Sequence, residues 1–217
     1  MFTGIITGVG QVVAATPLGA GQAYGKRLHI TAPAGFLHDV ALGDSIALNG
    51  ACMTVVAFDA DACWFEIDIS VESLSRTAGL QDAGTVNLEL ALRASDRVGG
   101  HWVSGHVDGI GRVERFEPVG ESWRLAVALP REMAPFMAAK GSIVIQGVSL
   151  TVNAVLDRPD DCQVEINLVP HTLQRTTLGA LHAGDAVNIE VDLIARYVER
   201  ILSARGNGWS NAEAPSN

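Results

Sequence analysis

The chain of 217 residues has only two lysines, Lys26 and Lys140, and a formal net charge of -9. That balance excludes a surface built to neutralise a phosphate backbone, and with it nucleic acid as a partner. Cysteine is also scarce: Cys52, Cys63 and Cys162 are odd in number and form no CxxC pair. Neither a disulfide framework nor a structural zinc site follows from that spacing, and free thiols suit a reducing compartment. Aromatic residues make up 6% of the chain, and no apolar run approaches the roughly 18 residues that mark a membrane-crossing helix. Met1-Phe2-Thr3-Gly4 lacks the basic start and long apolar run of a signal peptide. Together these absences predict a soluble cytoplasmic protein with no membrane partner.

What the chain does have is glycine, 23 residues of it, and a repeat. Phe2 to Val12, FTGIITGVGQV, returns as Val103 to Val113, VSGHVDGIGRV, with Gly4, Gly8 and Gly10 falling on Gly105, Gly109 and Gly111. SIALNGACMTV from Ser45 returns as SIVIQGVSLTV from Ser142, EIDISVESLSRT from Glu66 as EINLVPHTLQRT from Glu165, and VNLE from Val86 as VNIE from Val187. Four blocks recur in one order, and their offsets drift only between blocks, where loops absorb insertions. A composition that is 48% hydrophobic is enough for one large core or two small ones, and the duplication selects two.

Within each half, short segments rich in β-branched residues are broken by glycine at intervals expected of a small antiparallel barrel. The predicted strands of the first half are Phe2 to Ile6, Gln11 to Ala15, Arg27 to Thr31, Ser45 to Leu48, Cys52 to Phe58, Trp64 to Ile69 and Val86 to Leu92. Phe65, Ile67 and Ile69 alternate with Glu66 and Asp68, so one face is buried and the other wet. Helical pieces are expected at Pro33 to Leu37 and at Pro130 to Ala139, the latter with Met133, Phe136 and Met137 on one face. Single turns are expected at Val71 to Leu74 and Pro170 to Leu173. Leu193, Ile194, Tyr197, Val198, Ile201 and Leu202 then recur at helical spacing, a segment the first half lacks. Its apolar stripe predicts self-association, and the residues after it, Trp209 apart, read as a disordered tail.

MFTGII, NGACMTV, GGHWVSGH, GVSLTV and VPHTLQRTTLG resemble the riboflavin synthase family over about Met1 to Arg205. The resemblance implies two tandem six-stranded antiparallel Greek-key barrels, mainly β, followed by a C-terminal α-helix. The expected divisions are residues 1–97, 98–191, 192–205 for the helix and 206–217 for the tail. It further implies a dismutation of two 6,7-dimethyl-8-ribityllumazine molecules without cofactor or metal, a homotrimer, and a partnership with lumazine synthase. The rival within the same fold is a non-catalytic lumazine- or flavin-binding antenna protein.

Positions where matched copies differ in chemistry are the informative ones: Cys52 against Ser149, Ile5 against His106, Asp68 against Asn167, Glu72 against His171. A reaction in which two copies of one substrate play unlike parts requires that kind of asymmetry. Read on its own, Cys52 fits either a small buried hydrophobe or a thiolate whose pKa a neighbouring charge has lowered. His106 suits proton transfer near neutral pH or a structural role, and Asp192 suits a site acid or a helix N-cap. Ser149 and Thr151, like Cys52 and Thr54, alternate along a strand and point one way. The glycine clusters lack the lysine and long helix of a phosphate loop.

By resemblance the catalytic set is Cys52, His106, Ser149 and Asp192. The first barrel's substrate contacts map to Gly4, Ile5, Ile6, Cys52, Met53, Thr54, Asp68, Ile69, Ser70, Val71, Glu72 and Ser73. The second barrel's map to Gly105, His106, Val107, Lys140, Ser149, Leu150, Thr151, Asn167, Leu168, Val169, Pro170, His171 and Thr172. Gln146 departs from the acid expected there, and His101 is expected to matter less than His106.

Overall fold

The structure, a computed structural model, describes residues 1–21 and 23–206; the predicted tail and Trp209 lie outside the described residues. The first half contains β1 (Gly8–Pro17), β2 (Lys26–Thr31), β3 (Ser45–Leu48), β4 (Ala51–Asp59), β5 (Trp64–Ile69), α1 (Val71–Arg76) and β6 (Gly84–Leu90). The second contains β7 (Gly109–Val119), β8 (Ser122–Pro130), β9 (Ser142–Ile145), β10 (Val148–Asp157), β11 (Asp161–Leu168), α2 (Pro170–Arg175) and β12 (Ala186–Val191), and α3 (Leu193–Gly206) follows. Each set of six strands closes an antiparallel barrel, β1-β2-β5-β4-β3-β6 and, in the same cyclic order, β7-β8-β11-β10-β9-β12. Alternation puts Leu28, Ile30, Phe65, Ile67 and Leu88 inside the first barrel, and Leu125, Val127, Val164, Ile166 and Ile189 inside the second. No described helix is long and apolar enough to cross a membrane.

Three expectations need correction. Phe2 to Ile6 forms no strand. It makes one isolated bridge, Phe2 to Val103, because Gly4 turns the chain into the left-handed region at φ 73° and takes it across to the other barrel. Pro33 to Leu37 forms turns rather than a helix. The Pro130 to Ala139 helix shrinks to a 3₁₀ segment, Arg131–Phe136, where Pro135 lacks the N–H a longer helix needs.

The halves meet through contacts that come in pairs. The β3–β4 turn at Asn49-Gly50 and the β9–β10 turn at Gln146-Gly147 have positive φ at both residues, the requirement of a type I′ hairpin. They press together so closely that a Cβ on Gly50 would lie 2.9 Å from the Gly147 nitrogen, and one on Gly147 2.8 Å from the Gly50 nitrogen. The Asn49 side-chain oxygen accepts from the Asn87 amide at 2.8 Å, and that of Gln146 accepts from the Asn188 amide at 3.1 Å. Gln146 therefore does in its half what Asn49 does in the other. Phe2, Ala47, Val103 and Val144 fill the seam between the barrels.

The last helix, α3, is held to its barrel by Arg196, which donates to Asp108 at 2.7 Å. Its apolar stripe faces outward: Ile194, Tyr197, Val198, Ile201 and Leu202 are each 49–66% exposed.

Candidate active site

The predicted contacts gather where the seam meets the barrel walls, and the chain crosses between halves to bring them together. Gly105, also left-handed at φ 80°, offers its carbonyl to the Cys52 amide at 2.8 Å, and the Gly4 carbonyl accepts from the Ser149 amide at 2.8 Å. Val107 packs on the first barrel's core and Ile6 on the second's. The predicted contacts therefore regroup: Gly105, His106 and Val107 belong with Cys52, and Gly4, Ile5 and Ile6 with Ser149. Sequence alignment of the copies pairs like with like, whereas the fold exchanges these segments.

In the first pocket, a cavity of about 210 Å³, Cys52, Met53, Glu72, Ser73, His106 and Val107 come together with Arg76 and Thr77. The Ser70 hydroxyl caps α1 by accepting from the Ser73 amide, and Arg76 reaches back to Glu72 at 3.3 Å. A larger cleft of about 660 Å³, lined by Glu89, Arg93 and Asp96, includes only Ile5 of the predicted contacts. Cys52, Glu72 and His106, each chemically unlike its match in the other half, converge at the smaller cavity, which makes it the candidate site.

Beside Cys52 and beside Ser149 a strand ladder stops early. Pairing of β4 with β5 ends at Val55 and Ile67, although the register would set Thr54 against Asp68 and Met53 against Ile69. In the second barrel it ends at Val152 and Ile166, leaving Thr151 and Leu150 opposite Asn167 and Leu168. These edges present main-chain donors and acceptors that can pair with the amide edge of a planar heterocycle.

The side chains of several predicted contacts turn elsewhere. Asp68 forms a two-pronged ion pair with Arg27 on the outer wall, which holds its carboxyl below the ordinary range, and Asn167 accepts from the Ser122 hydroxyl at 2.8 Å. Ile69 and Leu168 point into the cores. Ile69 and Leu168 therefore offer a ligand only their main chain, and the Asp68 and Asn167 side chains are engaged elsewhere. Val71, Val169, Pro170 and His171 are exposed at the starts of α1 and α2, and Thr172 is half-buried within α2. Lys140 is exposed and left-handed at φ 69°, where the first half uses Gly43 at φ 88°. A non-glycine residue held in that conformation where its twin is glycine points to a role for the side chain.

Around Ser149 the structure brings in His101, which the sequence reading set below His106. The His101 Nδ1 lies 2.7 Å from the Ser149 hydroxyl, and its Nε2 is buried without a partner among the described residues. Burial holds this imidazole below its usual value of 6.5, with the Asp192 carboxylate offsetting part of the shift. Asp192 also caps α3, accepting from the Ile194 amide at 2.8 Å, so the cap it offers α3 leaves its charge close enough to act on His101. Gly100 lets this cluster close: a Cβ there would sit 2.2 Å from the Thr3 carbonyl and 2.6 Å from the Ser149 Cβ.

The Lumazine binding domain family matches this chain twice, at residues 3–91 and 104–192. Riboflavin synthase of Photobacterium phosphoreum is 41% identical over 204 residues, covering 93% of this chain and 89% of that protein. The chain belongs to the riboflavin synthase family. A second member, from Mycobacterium bovis, is 39% identical over 95% of this chain and all of its own length, so the match extends past both barrels into α3. Solved structures of LumP share the architecture: the complex with riboflavin superposes with a TM-score of 0.74 at 26% identity, over 88% of this chain and 99% of that one. LumP complexed with 6,7-dimethyl-8-(1'-D-ribityl) lumazine gives 0.72 at 25% identity, with the same coverage. Like the riboflavin synthases it matches, the chain is an enzyme.

Besides His101, sequence reasoning also missed the buried glutamates of this riboflavin synthase fold, Glu89 and Glu190. Their signal was present in VNLE and VNIE, an acid recurring at the end of an otherwise core-forming strand.

Proposed function

We propose that this protein catalyses a dismutation in which one molecule of 6,7-dimethyl-8-ribityllumazine gives a four-carbon unit to a second, yielding riboflavin and 5-amino-6-(D-ribitylamino)uracil. Two identical molecules supply every atom of both products, so the exchange needs no external oxidant or reductant. The lumazine's 7-methyl group is acidic because its anion delocalises into the ring, and the protein's task is to bind, orient and move protons. The observation that carries this reading is a pair of matched strand positions with different surroundings. One holds Cys52 with an exposed His106, the other Ser149 with the half-buried His101 beside Asp192. A site that assigns donor and acceptor roles to two copies of one molecule needs that difference. Incubation with the lumazine should produce the riboflavin absorbance. LumP, crystallised with the lumazine and with riboflavin, favours a second reading as a ligand-binding antenna, which tight binding without product would select.

The reading extends to assembly. Two heterocycles must meet face to face, so a first-barrel pocket of one chain opposes a second-barrel pocket of a neighbour in a cytoplasmic homotrimer, with barrels at 1–97 and 98–191. The exposed stripe of α3 supports an interface there, and removing residues from 193 onward is expected to yield monomers by light scattering; a truncated trimer would refute that role. Because His106 shares a pocket with Cys52, chains lacking one or the other cannot complement each other. The informative mixture is Cys52→Ala with Ser149→Ala. Subunit exchange should return about a quarter of wild-type turnover, since that share of random interfaces combines two intact pockets. A mixture as inactive as its parents, with exchange proven, would place the site within one chain.

A further inference from the structure

Each barrel buries one carboxylate that no described cation neutralises. Glu89 is 5% exposed and accepts from the Thr3 amide at 2.7 Å, the Thr3 hydroxyl at 2.7 Å and the Gly4 amide at 3.0 Å. Its twin Glu190 is 3% exposed and accepts from the amides of Ser104, Gly105 and His106 at 2.6, 2.9 and 3.0 Å. Burial raises both carboxyls against the hydrogen bonds they accept, and at Glu190, raised to about 7, the Asp108 charge adds to the rise. Two buried carboxyl groups held by main-chain amides and one hydroxyl, with no cation beside them among the described residues, are a costly way to fasten a loop, and their placement suggests what the arrangement achieves.

The peptides they hold are the ones that cross to the other barrel. Glu190, on β12 of the second barrel, fixes Gly105, whose carbonyl fixes the Cys52 amide in the first; Glu89, on β6 of the first, fixes Gly4, whose carbonyl fixes the Ser149 amide in the second. We propose that the two glutamates are positioning residues that act crosswise: Glu190 sets the geometry of the Cys52 pocket, and Glu89 that of the Ser149 pocket. The inference rests on reading those pockets as the two lumazine sites. A neutral amide in either place turns an N–H toward N–H donors, so the loop must shift while the barrel that carries the residue keeps its core.

The test uses Glu190→Gln and Glu89→Gln in the full chain, each first shown to retain the wild-type unfolding midpoint within a few degrees. Without any ligand, Glu190→Gln should shift the backbone NMR signals of His106 and Cys52 and leave Gly4 and Ser149 in place, and Glu89→Gln should do the reverse. With the lumazine, each variant is expected to lose roughly ten- to a hundredfold in kcat with little change in KM, the scale of a misplaced reacting group. Combined with Cys52→Ala, Glu190→Gln should cost at least tenfold less than the product of the separate losses, and with Ser149→Ala it should multiply; Glu89→Gln should show the opposite pattern. Should Glu190→Gln not fold, Glu190→Asp, which keeps the charge but shortens the reach, carries the same comparison. Coupling within the barrel that bears the glutamate, or equal coupling to both pockets, would overturn the inference. If wild-type protein makes no riboflavin, the functional reading fails, and the ligand-free amide shifts still decide whether the crosswise relay exists.

Discussion

Replacing His101 by alanine is expected to lower turnover at least about a hundredfold, the usual loss for a positioned proton-transfer group, with the fold intact. The ring is anchored to Ser149 through Nδ1 and keeps a second nitrogen buried without a partner among the described residues, a poor arrangement for a structural histidine and a suitable one for meeting a ligand. Its depressed pKa fixes the direction of the pH dependence. A histidine lowered from 6.5 is mostly neutral at pH 7 and gains its proton in more acidic solution, so activity that needs the neutral ring should fall along an acidic limb centred below pH 6.5. Rates measured from pH 5 to 8 check both points. Wild-type turnover in His101→Ala would remove the residue from the site, and an acidic limb centred above pH 6.5 would contradict the burial argument.

The second large effect is on stability. Asn188 is 1% exposed, and its side chain accepts from the Ala78 amide at 2.7 Å and donates to the carbonyls of Asn49 at 3.1 Å and Ala78 at 3.2 Å. Asn87, its twin, donates to the Gln146 carbonyl at 2.8 Å and accepts from the Thr177 amide at 2.7 Å. Alanine at 188 leaves a donor and two acceptors unsatisfied in the seam, at about 1–3 kcal/mol for each buried group, and because the two Ala78 groups are only part-buried a total loss near the low end, at least roughly 3 kcal/mol, is expected. Urea unfolding should show the midpoint falling with little change in slope, whereas Asn153→Ala, on an exposed strand position without side-chain hydrogen bonds, should stay within about 0.5 kcal/mol of wild type. A small loss at Asn188 would mean that apolar contacts such as Phe2 with Val103 hold the barrels together without the amide network.

These effects belong to residues of different legibility. Trp64–Ile69 could be read from the sequence to the residue because alternation of apolar and polar side chains is a local property of a strand packed on one face, and Ser45–Leu48 because a short apolar run ends at a turn pair, Asn49-Gly50. The duplication was equally plain, and it implied two barrels of one topology. α3 was readable from its helical spacing, and its own barrel left the stripe uncovered. Glu89, Glu190, Asn87 and Asn188 were visible only as letters of a repeat, since a polar residue on a strand gives no local sign that its partners lie more than 80 residues away.

The sequence by itself thus determined the fold class, the two-fold repetition, the family, and which matched positions differ in chemistry, all of which depend on local pattern and residue identity. The tertiary structure alone decided which half furnishes which pocket. Left-handed glycines at 4 and 105 send each leading segment across the seam, and buried carboxylates receive the amides that a strand ladder would otherwise have paired. That crossing depends on long-range hydrogen bonds between chain segments, and such bonds have no periodicity along the chain.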